Sequence, residues 1–408
     1  MPLDRGALDQ AVDESYSSLT ELAVRLHDYP ELAYQEHRAI TWIAELLESH
    51  GVRVELALGG IDTAFRARVG SGGGPRIAIL AEYDALPEIG HACGHNLIAA
   101  GAVGAFLAFV RQRVPIGGVV ELIGTPAEEG GGGKIRLIEA GVFRDVDVAM
   151  MYHPYDRDIL AHPALATTRA TLVFKGVPAH AAIAPWDGSS ALTACLETFR
   201  LVDSQRVHFR DGVRVHGIVT DGGQAVNVIP ERAEAVFLLR APSLNELDRV
   251  RTIVERCARG AALAAGAAVD VQLRAGYKDM RNNLTLARRF GAALEALGRR
   301  PRENDPRVGA GSTDMGDVSH LVPSIHPYLG ICDAGETLCH ERAFAACARS
   351  SRGFETMRLA AKAMARTAAE VLEDSALLAA AREEFALTAV GGAPGTGAGP
   401  NGTGESGG

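Results

Sequence analysis

Gly90-His91-Ala92-Cys93-Gly94-His95-Asn96 lies between two apolar segments, and the reading of this stretch decides the fold. Upstream is Arg76-Ile77-Ala78-Ile79-Leu80-Ala81, a short run rich in β-formers; downstream, Leu97 to Val110 is a small-residue apolar helix with almost no charge. The stretch therefore joins a buried strand to a buried helix. A thiolate and an imidazole one glycine apart can both turn toward one cation, because Gly94 permits the tight backbone path that a side chain would obstruct. The next strand, Gly118 to Gly124, runs into Thr125-Pro126-Ala127-Glu128-Glu129 and four glycines. Ligands and catalytic groups gather at strand ends in open α/β sheets, and here two successive ends carry Cys, His and a pair of carboxylates.

Outward from this centre, Leu8 to His27 and Glu36 to His50 read as amphipathic helices, and Val52 to Leu58 and Thr63 to Val69 as strands. Lys134 to Ala140 reads as a short helix, and Val146 to Met151 as a strand ending in Tyr152-His153-Pro154. Alternating strand and helix predicts an α/β fold with a doubly wound, mostly parallel sheet. From about Thr168 the order changes to strand (170–175), helix (189–203), strand (214–221), strand (233–240), helix (244–265), strand (268–274). That βαββαβ order is the ferredoxin-like split unit, expected as an inserted α+β domain. The expected division is a discontinuous catalytic domain, 1–167 and 280–389, an inserted domain, 168–279, and a disordered Gly-, Pro- and Thr-rich tail, 390–408. One long helix is expected from Phe354 to about Leu387.

The 408 residues suffice for two domains, with 47 % hydrophobic and 22 % charged residues. A net charge of -9 without an aromatic-basic stripe argues against nucleic acid or an anionic membrane surface and favours a small-molecule substrate. No secretory signal is visible at the start and no apolar run is long enough to span a bilayer, which predicts a cytoplasmic protein. Six scattered cysteines do not suggest a disulfide framework.

Taken singly, a buried cysteine or histidine is usually packing. Here Cys93, His95, Glu129, His153 and His340, in Leu338-Cys339-His340-Glu341, make five candidate ligands. Five exceed what one catalytic metal with an open position uses, so two divalent ions sharing a ligand fit better. Zn2+ and Mn2+ suit the donor set, and Co2+ or Ni2+ are tolerated. Glu128 is then free to act as general base and acid on a metal-activated water.

These residues resemble a family. The stretch around Cys93, Pro126-Ala127-Glu128-Glu129 with its glycines, the strand ending in His153-Pro154, the inserted unit with Pro178-Ala179-His180, and a late histidine before a phenylalanine are similar to the M20 metallopeptidases. Glu82-Tyr83-Asp84-Ala85-Leu86-Pro87, His95-Asn96 and Gly311-Ser312-Thr313-Asp314 look most like the branch of peptidase M20 domain-containing protein 2 and p-aminobenzoyl-glutamate hydrolase. The amidohydrolase subfamily has aspartate where this chain has Asn96 and a histidine where it has Ile98, which turns the reading toward the dipeptidase-like branch.

The resemblance implies that Cys93 bridges two metals, with His95 and His153 on one and Glu129 and His340 on the other, and that Glu128 is the base. It implies a homodimer through the inserted domain, in which His180 reaches the partner's site to stabilise the oxyanion, and it implies substrate contacts from Asn227 and Arg240. The wider family has a His-x-Asp ligand pair where this chain has Glu82-Tyr83-Asp84; Glu82 is accordingly expected not to be a ligand, and Asp84 to orient a ligand histidine. The expected activity is hydrolysis of the amide bond of a dipeptide or N-acyl amino acid. Competing readings are an aryl-amide hydrolase of the p-aminobenzoyl-glutamate type, a metal-containing binding module without catalysis, and a structural zinc site. Glu128, unnecessary for metal binding, speaks against the last two.

Overall fold

The computed structural model describes residues 3–112 and 115–391. The first stretch of chain forms α1 (Arg5–Asp28), α2 (His37–Ser49), β1 (Val54–Leu56), β2 (Phe65–Gly70), β3 (Arg76–Ala81), α3 (His95–Val110), β4 (Val119–Gly124), α4 (Gly133–Glu139), β5 (Val148–Met150) and β6 (His153–Tyr155). The middle forms β7 (Ala166–Lys175), α5 (Ala191–Gln205), β8 (Arg214–Asp221), β9 (Arg232–Ala241), α6 (Leu244–Ala264) and β10 (Ala268–Ala275). The remainder forms α7 (Leu284–Ala296), α8 (Met315–Ser319), β11 (Ser324–Ile325), β12 (Tyr328–Gly330), α9 (Arg342–Cys347), α10 (Ser351–Glu373) and α11 (Ser375–Gly391).

Six strands make one sheet in the order β1-β2-β4-β3-β5-β11. Its three inner and far pairings, β4 with β3, β3 with β5 and β5 with β11, are parallel, and the β1-β2-β4 edge is antiparallel. Both faces are covered, as a parallel sheet requires. Along β3, Ile77, Ile79 and Ala81 join one core with α1, α3 and α10, while Ala78 and Leu80 join a second core with Leu137 of α4 and Met315 and Val318 of α8. A near-continuous apolar strand therefore serves two layers.

The second sheet runs β10-β7-β9-β8, all antiparallel, with α5 and α6 on one face. That is the strand order of the split βαββαβ unit. Its strands alternate in burial: Ala170, Leu172 and Phe174 of β7 point into a core of their own, and Arg169, Thr171, Val173 and Lys175 point away.

Two expectations need correction. The strand expected from Val146 into His153-Pro154 is two pieces, and β6 pairs with β12 in a separate two-stranded parallel sheet. The single helix expected from Phe354 to Leu387 is broken at Asp374, whose backbone is extended and whose carboxylate accepts from the N–H groups of Ala376 and Leu377 at 2.9 and 3.1 Å. Capping the first turn of α11 outcompetes continuing α10. The tail expected to be disordered lies outside the described residues from 392 on. Among the described residues no helix is long and apolar enough to cross a membrane.

The loop after β4 is held from several elements at once. Glu36, ahead of α2, accepts from Ala127 N at 2.9 Å; Asp84 accepts from Glu129 N at 2.9 Å; Asp314 accepts from Lys134 N at 3.0 Å. Tyr277, just past β10, donates to Glu128 O at 2.5 Å and accepts from Gly130 N at 3.2 Å, and Tyr34 donates to Gly131 O at 2.7 Å. These bonds sustain a positive φ of 60° at Ala127, a conformation costly for a residue with a Cβ.

Burial pushes the Glu36 carboxyl up to about 7. Because the unfolded value is lower, ~4.3, the folded state keeps a proton the unfolded state has lost, so stability falls as pH rises through that interval and levels off above about 7. Glu36→Gln keeps an acceptor for Ala127 N and removes the titration. Urea midpoints should show the variant gaining on the wild type between pH 4 and pH 8, and a gap independent of pH would show that Glu36 titrates alike in the folded and unfolded chains. Glycines in two helices should respond oppositely to alanine. At Gly101 in α3 a Cβ would lie 2.6 Å from Cε1 of buried Tyr152, whose hydroxyl donates to Leu97 O, so Gly101→Ala should cost about 1–3 kcal/mol. At exposed Gly260 in α6 the nearest atom is 4.0 Å away, and Gly260→Ala should add about 0.5–1 kcal/mol.

Candidate metal centre

Four chain segments deliver the candidate ligands to one place. The residues after β3 lead through Glu82 and Asp84 to Cys93, and His95 opens α3. The loop after β4 brings Glu128 and Glu129, and β6 opens on His153. His340, between β12 and α9, is fixed from its own backbone: at φ 73° its N–H donates to Ala92 O at 2.8 Å, which seats it beside Cys93.

Cys93, His95 and His153 form one group whose donor atoms all lie within 4.8 Å of one another, and Cys93, Glu129 and His340 form another. Cys93 Sγ is 3.5 Å from His153 Nε2, and Glu129 Oε1 is 3.2 Å from His340 Nε2 and 4.0 Å from His95 Nε2. Both buried imidazoles are oriented from behind. His95 Nδ1 donates toward Asp84, 2.9 Å from its carbonyl and 3.1 Å from Oδ1, and His153 Nδ1 donates to Pro154 O at 2.6 Å. Carbonyl oxygens only accept, so each ring keeps its N–H on Nδ1 and turns Nε2 into the shared space. His95 Nε2 and Glu129 Oε1 are buried with no hydrogen-bond partner there. The contact with Cys339, together with burial, raises the Cys93 thiol well above its usual range, so a thiolate there needs a cation. Thiolate, imidazole and carboxylate around orphaned buried atoms fit divalent metal.

The paired glutamates are driven apart. Burial and the charges of Glu82, Glu129 and Asp314 push Glu128 well above the usual carboxylate range. Burial opposes the charge on Glu129 as well, but the His340 imidazole 3.2 Å away and the charge of His95 outweigh it and lower its pKa. Adjacent carboxyls with opposed protonation preferences suit one to proton transfer and the other to ligation.

The structure does not bring His180, Asn227 and Arg240 to this cluster within one chain. His180 is exposed; its Nδ1 accepts from Ala182 N and Ile183 N at 3.2 and 3.3 Å, and its backbone pairs with Val228. Asn227 is exposed beside it and accepts from Ala181 N through its carbonyl at 3.0 Å. Around them Ile183, Trp186 and Val226 are 69 %, 78 % and fully exposed. Arg240 is half-buried on β9 and forms no ion pair among the described residues.

Sequence reasoning missed the charged layer behind the ligands. Lys134, fully buried, reaches Glu82 and Asp314, each at 2.5 Å. Only its position after the glycines hinted at it. His326, which the sequence does not single out, stands edge-on to the His153 ring with centroids 5.4 Å apart and is 1 % exposed.

Comparison with known proteins agrees with this geometry. Residues 78–387 match the model of peptidase family M20/M25/M40. Over 392 residues the chain is 39 % identical to Xaa-Arg dipeptidase of Mus musculus, covering 92 % of this chain and 90 % of that one. It is 30 % identical to a p-aminobenzoyl-glutamate hydrolase subunit of Escherichia coli (strain K12) over 452 residues, covering 92 % and 94 %. Its fold is shared with a Bacillus subtilis protein described as a dinuclear metal binding peptidase from the M20 family, at TM-score 0.72 and 23 % identity, covering 88 % of this chain and 99 % of that one. With three quarters of its length under one family model and a relative this similar end to end, the chain belongs to peptidase family M20/M25/M40.

Proposed function

We propose that the chain is a two-metal dipeptidase, cleaving the amide bond of a dipeptide or N-acyl amino acid in the cytoplasm. The observation that carries this reading is the pair of ligand groups sharing Cys93 beside a glutamate that favours its proton. Cys93, His95 and His153 would hold one ion and Cys93, Glu129 and His340 the other. Zn2+ or Mn2+ bound there supplies Lewis-acid polarisation of the scissile carbonyl and activation of water. Glu128 takes the proton from the attacking water on a carboxylate oxygen and hands it to the leaving amine nitrogen. Asp84 keeps His95 in one tautomer and, through Glu129 N, keeps the paired glutamates in register.

The division into 1–167 with 280–389 and 168–279 belongs to this proposal. So does a homodimer through the inserted unit. Supporting it are the exposed apolar side chains around His180 and the edge strand β8, whose Ile218 and Val219 are 65 % and 40 % exposed. The partner subunit's His180 would donate to the developing oxyanion, with Asn227 on the amide and Arg240, its guanidinium unengaged, on the substrate carboxylate. The likeness to a relative named Xaa-Arg dipeptidase supports a dipeptide ending in arginine as substrate, and the p-aminobenzoyl-glutamate hydrolase relative supports an aryl-amide as second reading.

The decisive experiment measures amine release from Xaa-Arg and other dipeptides, N-acyl amino acids and p-aminobenzoyl-glutamate, with chelated protein and with protein refilled with Zn2+ or Mn2+. Metal-dependent release should appear for the dipeptides. Glu128→Gln should lower kcat by at least ~100-fold with both metals retained, Arg240→Ala should raise KM for carboxylate-bearing substrates, and unchanged turnover in Glu128→Gln would remove it as the base. Mixing inactive His180→Ala and Glu128→Gln subunits should restore one intact site per heterodimer; subunit exchange without recovered activity would refute the action in trans.

A further inference from the structure

The middle of the chain, β7 to β10 with α5 and α6, is joined to the rest by two connections only, one entering at Ala166 and one leaving at Ala275. The two run side by side and are tied to each other. Met280 N donates to Ala164 O at 3.1 Å, Thr167 N to Tyr277 O at 2.8 Å, and Gly276 N to Thr167 O at 3.0 Å. The Thr167 hydroxyl adds a fourth bond by accepting from Tyr277 N at 2.9 Å. This junction is tight, since a Cβ on Gly276 would lie 2.0 Å from Thr167 Oγ1. The backbone of Tyr277 therefore moves only with the junction.

Its phenol reaches from there to the loop after β4, where the hydroxyl donates to Glu128 O at 2.5 Å and accepts from Gly130 N at 3.2 Å. Glu128 O belongs to the peptide unit that joins Glu128 to Glu129, and the N–H of the same unit donates to Asp84 Oδ2 at 2.9 Å. In a trans peptide such as this one, the oxygen and the N–H point to opposite sides of one rigid plane. The plane is thus pinned twice. Its N–H is held by the aspartate that also holds His95, and its oxygen by a residue anchored where the second sheet is entered and left. The tilt of that plane sets the directions in which the Glu128 and Glu129 side chains depart. Ala127, just ahead at φ 60°, sits in the small left-handed region and has little room to absorb a change.

We propose that Tyr277 is a positioning residue whose hydroxyl carries the orientation of the second sheet to the Glu128–Glu129 peptide and so sets where the Glu128 carboxyl stands. This rests on the reading of Glu128 as the base. His180 follows β7, Asn227 lies between β8 and β9, and Arg240 is on β9, so the residues assigned above to the substrate all belong to the unit that Tyr277 reports on. Engagement of substrate by that unit and proton transfer at Glu128 are then joined through one phenol. The lever is sensitive, because a shift of ~1 Å in a catalytic group can cost on the order of 100-fold in rate.

The test measures kcat and KM of Zn2+-refilled protein on the dipeptide, N-acyl amino acid or p-aminobenzoyl-glutamate that the wild type turns over, with bound zinc and far-ultraviolet circular dichroism recorded for each variant. Tyr277→Phe keeps the ring and removes both hydroxyl bonds. Its kcat should fall ~10–100-fold with KM within ~2-fold and zinc content and fold as in the wild type. Thr167→Val removes the bond to Tyr277 N and should lower kcat by ~2–10-fold, the size of one hydrogen bond, whereas Thr167→Ser keeps the hydroxyl and should retain the wild-type value. In Tyr277→Phe protein, Thr167→Val should lower kcat no further, because the path it acts through is already cut. Wild-type kcat in Tyr277→Phe overturns the proposal, and so does an equal loss from Thr167→Val in both backgrounds. If Tyr277→Phe does not fold, equal kcat in Thr167→Val and Thr167→Ser overturns it. Unchanged turnover in Glu128→Gln overturns it together with the reading of Glu128 as the base.

Discussion

Glu36, Glu82, Asp84, Glu128 and Asp314 are all buried around the ends of β3 and β4, with Glu129 nearly so, and this concentration of acid is the constraint to which its surroundings answer. Isolated carboxylates cannot be carried out of water at acceptable cost, so each must be neutralised, paired or bonded. The fold uses every route. Glu36 and Glu128 are pushed toward keeping their protons, Asp314 is raised to about 6 by burial, Asp84 and Glu36 accept backbone N–H groups of the loop they support, and Lys134 joins two acids at once. What is left faces the Cys93 thiol and the imidazoles.

The same constraint explains why the loop after β4 is so firmly tied. Acids used to bind backbone N–H groups are discharged without spending a basic side chain, and the N–H groups they bind set the direction of Glu128 and Glu129. Rigidity and charge balance are then one arrangement rather than two. Tyr277 extends it to the end of β10, so the polypeptide leaving the second sheet touches the backbone of Glu128 itself. Side chains held from behind in this way are what a preorganised site needs.

Local pattern makes much of this readable in the sequence. The strand runs, the βαββαβ order and the motif around Cys93 all depend on neighbours within a few residues, and the two sheets and the meeting of Cys93, His95 and His153 follow from them. The charged layer is unreadable for the opposite reason. Lys134 meets Glu82 across 52 residues and Asp314 across 180, and an ion pair at such separation leaves no periodicity behind. A family pattern with histidine in place of Glu82 hides the geometry of that residue. At the other end of the chain, Asp374-Ser375 carries a capping signal, but the apolar helical pattern on either side conceals it.

The backbone bond from His340 to Ala92 has a consequence for synthesis. It closes a circuit between positions 93 and 340, with the whole second sheet made in between. At ~5–20 residues per second, roughly ten to fifty seconds separate the appearance of Cys93 from that of His340. For that interval the nascent chain holds a cysteine, a histidine and several acids without the imidazole of His340, while the intervening unit already has everything its own core requires. The cluster is thus completed late, and a cation held across it would act as a clip over a very long loop, fastening the two stretches that build the six-stranded sheet after the piece between them has been laid down.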